Sequence, residues 1–267
     1  MGIVNLTDDS FFAGSRMLDE GGRFDDDIFL NKVGSMVSEG ADIIDLGACS
    51  TRPGSESVSE EEEWRRLAPA LSLLVAESTD VRLSIDTFRP GIVSRAFDVV
   101  GPFIVNDVSG GSEDMWKLVG ELGLTYVAMH TRGTPKDMQL LTDYDDVTAE
   151  VCRFFDSVSE TADRYGIKDW ILDPGFGFAK TVGQNWQLLR ELDAFKNFGK
   201  PVLAGLSRKS FLYKPLGITP EEALPATCAA NLLALQKGAD ILRVHDVAAA
   251  FQVVIAYDSL YTRHYIP

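Results

Sequence analysis

Short apolar runs rich in Val, Ile and Leu recur along the chain, at residues 2–6, 41–47, 81–87, 103–108, 125–130, 170–173, 201–207 and 241–245. Their apolar character is nearly continuous rather than alternating, as expected of strands covered on both faces of a parallel sheet. Between them the spacing changes to a helical period. Residues 26–39 place Ile28, Leu30, Val33 and Val37 on one stripe and stop at Gly40. Ser59 precedes the acidic run Glu60-Glu61-Glu62-Glu63, an N-cap and first turn suited to the positive end of a helix dipole. That helix continues through Leu67, Leu71, Leu74 and Val75, and its acidic start reads as a solvated face. The pattern predicts further helices over 90–100, 115–122, 146–165, 184–198, 221–237 and 247–263. Gly40, Gly123, Gly166, Gly199 and Gly238 each follow a helical pattern, where a left-handed closing residue is wanted.

Eight strands, each followed by a helix and undivided by any Pro/Gly-rich linker, predict an α/β fold, a (β/α)8 TIM barrel in a single domain over residues 1–267. A closed barrel removes both sheet edges, and the length suits this architecture, which commonly uses ~250 residues. An open doubly wound sheet is the competing arrangement.

Composition narrows the function classes. With 40 acidic against 25 basic residues, the net charge is −15, which argues against a nucleic-acid partner needing a basic face. No apolar run approaches the ~20 residues that span a bilayer, so no membrane partner is expected. The start lacks the basic region and apolar stretch of a secretory signal, and a cytoplasmic location is expected. Cys49, Cys152 and Cys228 are scattered and read as buried apolar side chains in a reducing compartment.

Polar residues gather at the strand ends: Asn5, Asp45, Asp86, Asn106, His130, Asp173, Ser207, Arg243 and His245. Burying such groups unpartnered costs ~1–3 kcal/mol each, so a core has no reason to accumulate them, whereas the mouth of a barrel does. Arg243 and His245 are two apart and face one side of their strand, and Lys209 follows the preceding strand. Three cations after the seventh and eighth strands suit a phosphate or diphosphate. Opposite them, Asp86, Asn106 and Asp173 offer paired acceptors and donors to a planar, nitrogen-rich ring. Ser50-Thr51-Arg52-Pro53-Gly54 could close over an anion, Gly14 and Gly21-Gly22 would allow a mobile first loop, and Phe11, Phe12 and Phe178 could form an aromatic wall.

These segments, in this order, resemble the dihydropteroate synthases. The resemblance rests on Gly2-Ile3-Val4-Asn5-Leu6-Thr7 with Asp9-Ser10-Phe11, on Ser50-Thr51-Arg52-Pro53-Gly54, and on Ser84-Ile85-Asp86-Thr87. It continues through Asn106-Asp107, Met129-His130, Asp173-Pro174-Gly175-Phe176-Gly177-Phe178, Ser207-Arg208-Lys209-Ser210-Phe211 and Arg243-Val244-His245-Asp246. It implies a (β/α)8 barrel, commonly a homodimer, that joins 6-hydroxymethyl-7,8-dihydropterin diphosphate to 4-aminobenzoate, releasing pyrophosphate and 7,8-dihydropteroate.

Carried over by motif, Asp86, Asn106, Asp173 and Lys209 would hold the pterin ring. Arg243 and His245 would bind the diphosphate, with Asn5 helping through Mg2+. Thr51, Arg52, Pro53, Phe178 and Ser207 would form the aminobenzoate side, with Phe11 closing from the first loop. Asp86, Lys209, Arg243 and His245 are the expected catalytic residues. The first loop departs from the family pattern: Asp8 replaces a Pro and Ala13 a carboxylate. A corrinoid-linked pterin methyltransferase and a non-catalytic pterin-binding paralogue are the alternatives. The 173–181 segment lacks the extra Phe of some sulfonamide-resistant relatives, whereas Asp8-Asp9-Ser10-Phe11-Phe12 resembles theirs.

Overall fold

The computed structural model describes residues 1–7, 24–49, 58–77 and 81–261. Among the described residues, eight strands alternate with helices in the expected order: β1 Gly2–Asn5, β2 Ile43–Gly47, β3 Arg82–Asp86, β4 Ile104–Asp107, β5 Thr125–Met129, β6 Trp170–Asp173, β7 Leu203–Ala204 and β8 Ile241–Leu242. The helices are α1 Asp26–Ser38, α2 Glu60–Ala76, α3 Pro90–Val100, α4 Glu113–Leu122, α5 Val147–Tyr165, α6 Val182–Arg190, α7 Ser210–Tyr213, α8 Leu224–Gln236 and α9 Val247–Tyr261.

β1 to β6 form one parallel sheet in chain order and β7 pairs with β8. Two parallel bridges, Leu172 to Val202 and Gly2 to Val244, join these sheets into the (β/α)8 barrel. Leu172 N donates to Pro201 O and Ile3 N to Val244 O, both at 2.9 Å. The open-sheet alternative fails here, because β8 lies beside β1. The ladder is nevertheless thin at these seams. β7 and β8 pair over only two residues each, since the chain beyond Ala204 and Leu242 turns to carry Ser207, Lys209, Arg243 and His245 into the mouth.

Side-chain alternation along the strands sets up the site. One phase (Ile44, Leu46, Val105, Tyr126, Leu172) joins the large core between sheet and helices. The other begins with Ile43, Ile104, Val127, Ile171 and Leu203, a second, smaller core that fills the barrel interior. Two residues further along their strands come Asp45, Asn106 and Asp173, and Arg243 stands in the same relation to Ile241. An apolar floor therefore lies directly below a polar layer.

The helices largely follow their sequence signals. Asp146 caps α5, donors coming from Thr148 N at 2.9 Å and Ala149 N at 3.1 Å. Gly123, Gly166 and Gly199 close their helical segments in the left-handed conformation. Other expectations need correction. On α1 the buried stripe is Phe29, Val33 and Met36, with Ile28 and Val37 exposed, because the helix turns its i, i+4, i+7 positions inward. Predicted segment 184–198 breaks into α6 and a 3-10 turn over Leu192–Phe198. Glu63 is not part of a solvated face: it is 1% exposed and ion-paired with Arg89. Of the three cysteines only Cys49 is buried; Cys152 and Cys228 are half-buried. Among the described residues, no helix is long and apolar enough to cross a membrane.

Candidate active site

Asp45 is the centre of the polar layer. It is fully buried and accepts from Ser84 Oγ at 2.6 Å, from Asn106 Nδ2 at 3.2 and 3.3 Å, and from Arg243 Nε at 2.7 Å. Arg243 Nη2 also reaches Asp86 Oδ2 at 2.8 Å. Burial works against the Arg243 charge, but Asp45 and Asp86 outweigh it and hold the guanidinium protonated. Burial also pushes the Asp86 carboxyl up to about 7; Arg243 opposes this, and Asp45 and Glu63 reinforce it. The sequence pattern places Arg243 across the mouth from Asp86. The two instead touch, because β8 joins the sheet beside β1 and a long guanidinium reaches over the two intervening strand ends.

Asp86 and Asn106 are register partners on β3 and β4, and Asn5 and Asp86 both flank Gly47 of β2. With Asn106 Nδ2 committed to Asp45, its Oδ1 is buried and has no hydrogen-bond partner among the described residues. Such an orphaned acceptor is costly in a finished core and suits a ligand N–H.

On the far side, Asp173 Oδ1 accepts from Gly175 N at 2.8 Å. Burial raises the Asp173 carboxyl, and nearby Lys209 opposes the rise. Lys209 donates to Phe176 O, and its ammonium sits 4.6 Å from the centre of the Phe178 ring. Burial draws this ammonium down to about 8, with Asp173 resisting. Ser207 Oγ lies 2.9 Å from His245 Nδ1. Neighbouring Arg208 turns away and forks onto Asp246 through two 2.8 Å bonds.

Asp86, Asn106, Asp173, Lys209, Phe178, Ser207, Arg243, His245 and Asn5 therefore all stand at the carboxyl ends of the strands or in the turns that follow. Thr51, Arg52, Pro53 and Phe11 lie outside the described residues. Mg2+ requires oxygen donors. No group of three or more His, Cys, Asp or Glu side chains is arranged for a metal among the described residues. Asn5 offers one carbonyl oxygen, 3.7 Å from where a Cβ on Gly47 would stand. A single donor does not form a cage, but it fits an ion that keeps its waters and shares phosphate oxygens.

Two residues carry more of the site than the sequence suggested. Asp45 stands out as a strand-end carboxylate, yet its hold on both Arg243 and Asn106 depends on ring closure. Lys180 is buried behind the β6 turn and carries no signal beyond its place shortly after Phe178.

A profile of the pterin binding enzyme family matches residues 1–245, and the chain belongs to that family. It is 41% identical over 267 residues to the dihydropteroate synthase of Synechocystis sp., covering 98% of this chain and 89% of that protein. It is 40% identical over 253 residues to the dihydropteroate synthase of Escherichia coli, covering 92% and 86%. The fold superposes with a TM-score of 0.89 on Yersinia pestis dihydropteroate synthase in a sulfonamide drug complex, at 35% identity over 99% of this chain and 94% of that one. The Thermus thermophilus dihydropteroate synthase in complex with 4-aminobenzoate gives a TM-score of 0.85 at 38% identity, over 98% and 93%. Within its family, this chain stands among the dihydropteroate synthases.

Proposed function

We propose that this enzyme is a transferase that condenses 6-hydroxymethyl-7,8-dihydropterin diphosphate with 4-aminobenzoate, giving 7,8-dihydropteroate and pyrophosphate for folate synthesis. The whole chain acts as one barrel domain. The observation that carries the reading is the orphaned Asn106 Oδ1 set between the Asp86 and Asp173 carboxyls above an apolar floor. A flat, amine-bearing heterocycle supplies the N–H donors this layer lacks, and an analogue without them would leave the buried acceptors unpaired.

The pterin ring is held by Asp86, Asn106, Asp173 and Lys209, and the diphosphate lies towards Arg243 and His245. The remaining guanidinium edge of Arg243 faces the diphosphate while Asp45 and Asp86 fix its plane. Asn5 would help to hold Mg2+, which would supply charge neutralisation for the diphosphate. In the reaction the bond from the pterin methylene carbon to the diphosphate oxygen breaks, and the electron pair leaves with pyrophosphate. Arg243, His245 and Lys209 stabilise that negative charge. The Asp86 carboxylate stabilises the positive charge left on the pterin. The aminobenzoate nitrogen then bonds to the methylene carbon and loses a proton to solvent.

Phe178 and Ser207, together with Thr51, Arg52, Pro53 and Phe11, form the aminobenzoate side, where a sulfonamide competes. The enzyme is a cytoplasmic homodimer. Leu233 on α8 and Phe251, Leu260 and Tyr261 on α9 are large apolar side chains left exposed, which supports pairing of two copies through this side.

A pyrophosphate-release assay with both substrates and Mg2+ tests the proposal. Turnover that requires both substrates and is inhibited by a sulfonamide supports it. Pterin binding without turnover would favour the non-catalytic reading, and methyl transfer would favour the methyltransferase.

A further inference from the structure

Lys180 is 4% exposed, and its ammonium sits inside a turn rather than at its rim. Nζ lies 3.0 Å from His130 Nδ1, 3.0 Å from Gly175 O and 3.0 Å from Phe178 O, with His130 O further off at 3.3 Å. An ammonium has three protons, and three acceptors stand at the same distance from it. Two of them belong to the segment between β6 and α6, and the third to His130, the residue that follows β5.

The turn itself is shaped around this group. Ala179, just before the lysine, has φ 48, a left-handed conformation that a residue with a Cβ holds only when its surroundings impose it. Gly175 has φ 70, and a Cβ there would overlap the His130 carbonyl oxygen, so the turn is pressed directly onto β5. Asn185 of α6 grips the other side. Its Oδ1 accepts from Gly177 N at 2.6 Å, and its Nδ2 donates to Thr181 O at 2.7 Å. The outer face of the turn presents Phe176 O, which accepts from Lys209, and the Phe178 ring beneath the same ammonium. The Lys209 stem also lies 3.1 Å from where a Gly177 Cβ would stand.

We propose that Lys180 is a positioning residue whose buried ammonium organises the 174–181 turn and thereby sets Phe178 for the arriving aminobenzoate. It touches neither substrate. Its N–H donors hold the Gly175 and Phe178 carbonyls inward, which leaves the Phe178 ring facing the mouth. His130 takes part as the acceptor: with Nδ1 facing a lysine proton, the ring is neutral and carries its hydrogen on Nε2. The inference rests on the proposed synthase reaction.

The test compares the wild type with Lys180→Met, which keeps the stem and removes all three donors, and with Lys180→Gln, which keeps two. The readouts are KM for aminobenzoate, Kd for pterin diphosphate without aminobenzoate, and thermal midpoint. Lys180→Met is expected to raise KM for aminobenzoate roughly tenfold or more while pterin diphosphate Kd moves less than about threefold, with Lys180→Gln between. Ethylammonium or propylammonium added to Lys180→Ala is expected to recover part of the lost kcat/KM, which generic loosening of the fold would not permit. An unchanged KM would overturn the inference, as would KM and Kd rising together without ammonium rescue. A wild type without turnover would overturn the proposed function and this inference with it; an active wild type with an indifferent Lys180→Met overturns this inference alone.

Discussion

Asp45 and Arg243, 198 residues apart in sequence, are joined through Arg243 Nε at 2.7 Å. The bond runs from β2 across β1 to β8, over the seam where the sheet is held by the isolated Gly2 to Val244 bridge. It therefore fastens the barrel at one of its two thin seams, and it fixes the guanidinium plane. Asp45→Asn removes the charge from a fully buried carboxylate and leaves Arg243 with Asp86 alone. Loss of one partner of a buried pair costs about 3–5 kcal/mol, and the residual Asp86 contact places this variant at the low end. Urea unfolding measures that loss, and kcat/KM for pterin diphosphate is expected to fall roughly a hundredfold as Arg243 and Asn106 lose their common anchor.

The Asp86 carboxyl, raised by burial to about 7, must be ionised to face a cationic pterin. The kcat/KM for pterin diphosphate is therefore expected to rise with pH through about 7 and to fall again as Lys209, drawn down to about 8, loses its proton. Asp86→Asn should abolish the acid limb and Lys209→Arg the alkaline limb, each with a lower plateau. The stability consequence has its own sign. A carboxyl raised in the folded state favours folding when protonated, so this contribution is full below about 3.8 and is lost as pH rises through about 7.

His130 makes the opposite contribution. Burial, aided by Lys180, lowers its imidazole from 6.5 to about 3, so the folded chain holds it neutral. The unfolded chain takes up the proton first, and stability is lost as pH falls from 6.5 towards 3. In thermal melts across that window, His130→Gln should lose less stability on acidification than the wild type. A parallel pair of curves would contradict this.

Gly175 carries both a left-handed backbone and the contact with the His130 carbonyl. Gly175→Ala is expected to cost more than about 2 kcal/mol, through the strain of positive φ and the displaced turn. Gly166→Ala, where positive φ stands alone and no atom crowds the added Cβ, is the control and should cost about 1–2 kcal/mol. Chemical denaturation of the two variants separates these terms.

The fold was legible because both of its periods are written locally. The run Trp170-Ile171-Leu172-Asp173 is predicted and observed with the same ends, and Pro90–Val100 likewise begins at its proline and stops before Gly101. The short β7 and β8 were not legible, since Pro201 to Ser207 is apolar enough to be a full strand and only closure shows where it leaves the ladder. Within the site, Asp86, Asn106 and Asp173 could be found from strand-end position alone. The contact of Arg243 with Asp86 could not, because it depends on which strand β8 meets. Lys180 was invisible for a different reason. A lysine after a Gly-rich turn reads as a surface charge, and only the left-handed Ala179 directs it inward.

Rapid mixing of enzyme, Mg2+ and pterin diphosphate, with pyrophosphate measured before aminobenzoate is added, tests whether one mouth holds the ring beside Asp86 and the leaving group beside Arg243. The wild type should release pyrophosphate in a single turnover, and Asp86→Ala and Arg243→Ala should each be slower by roughly a hundredfold or more. Release from Asp86→Ala at the wild-type rate would contradict the assignment.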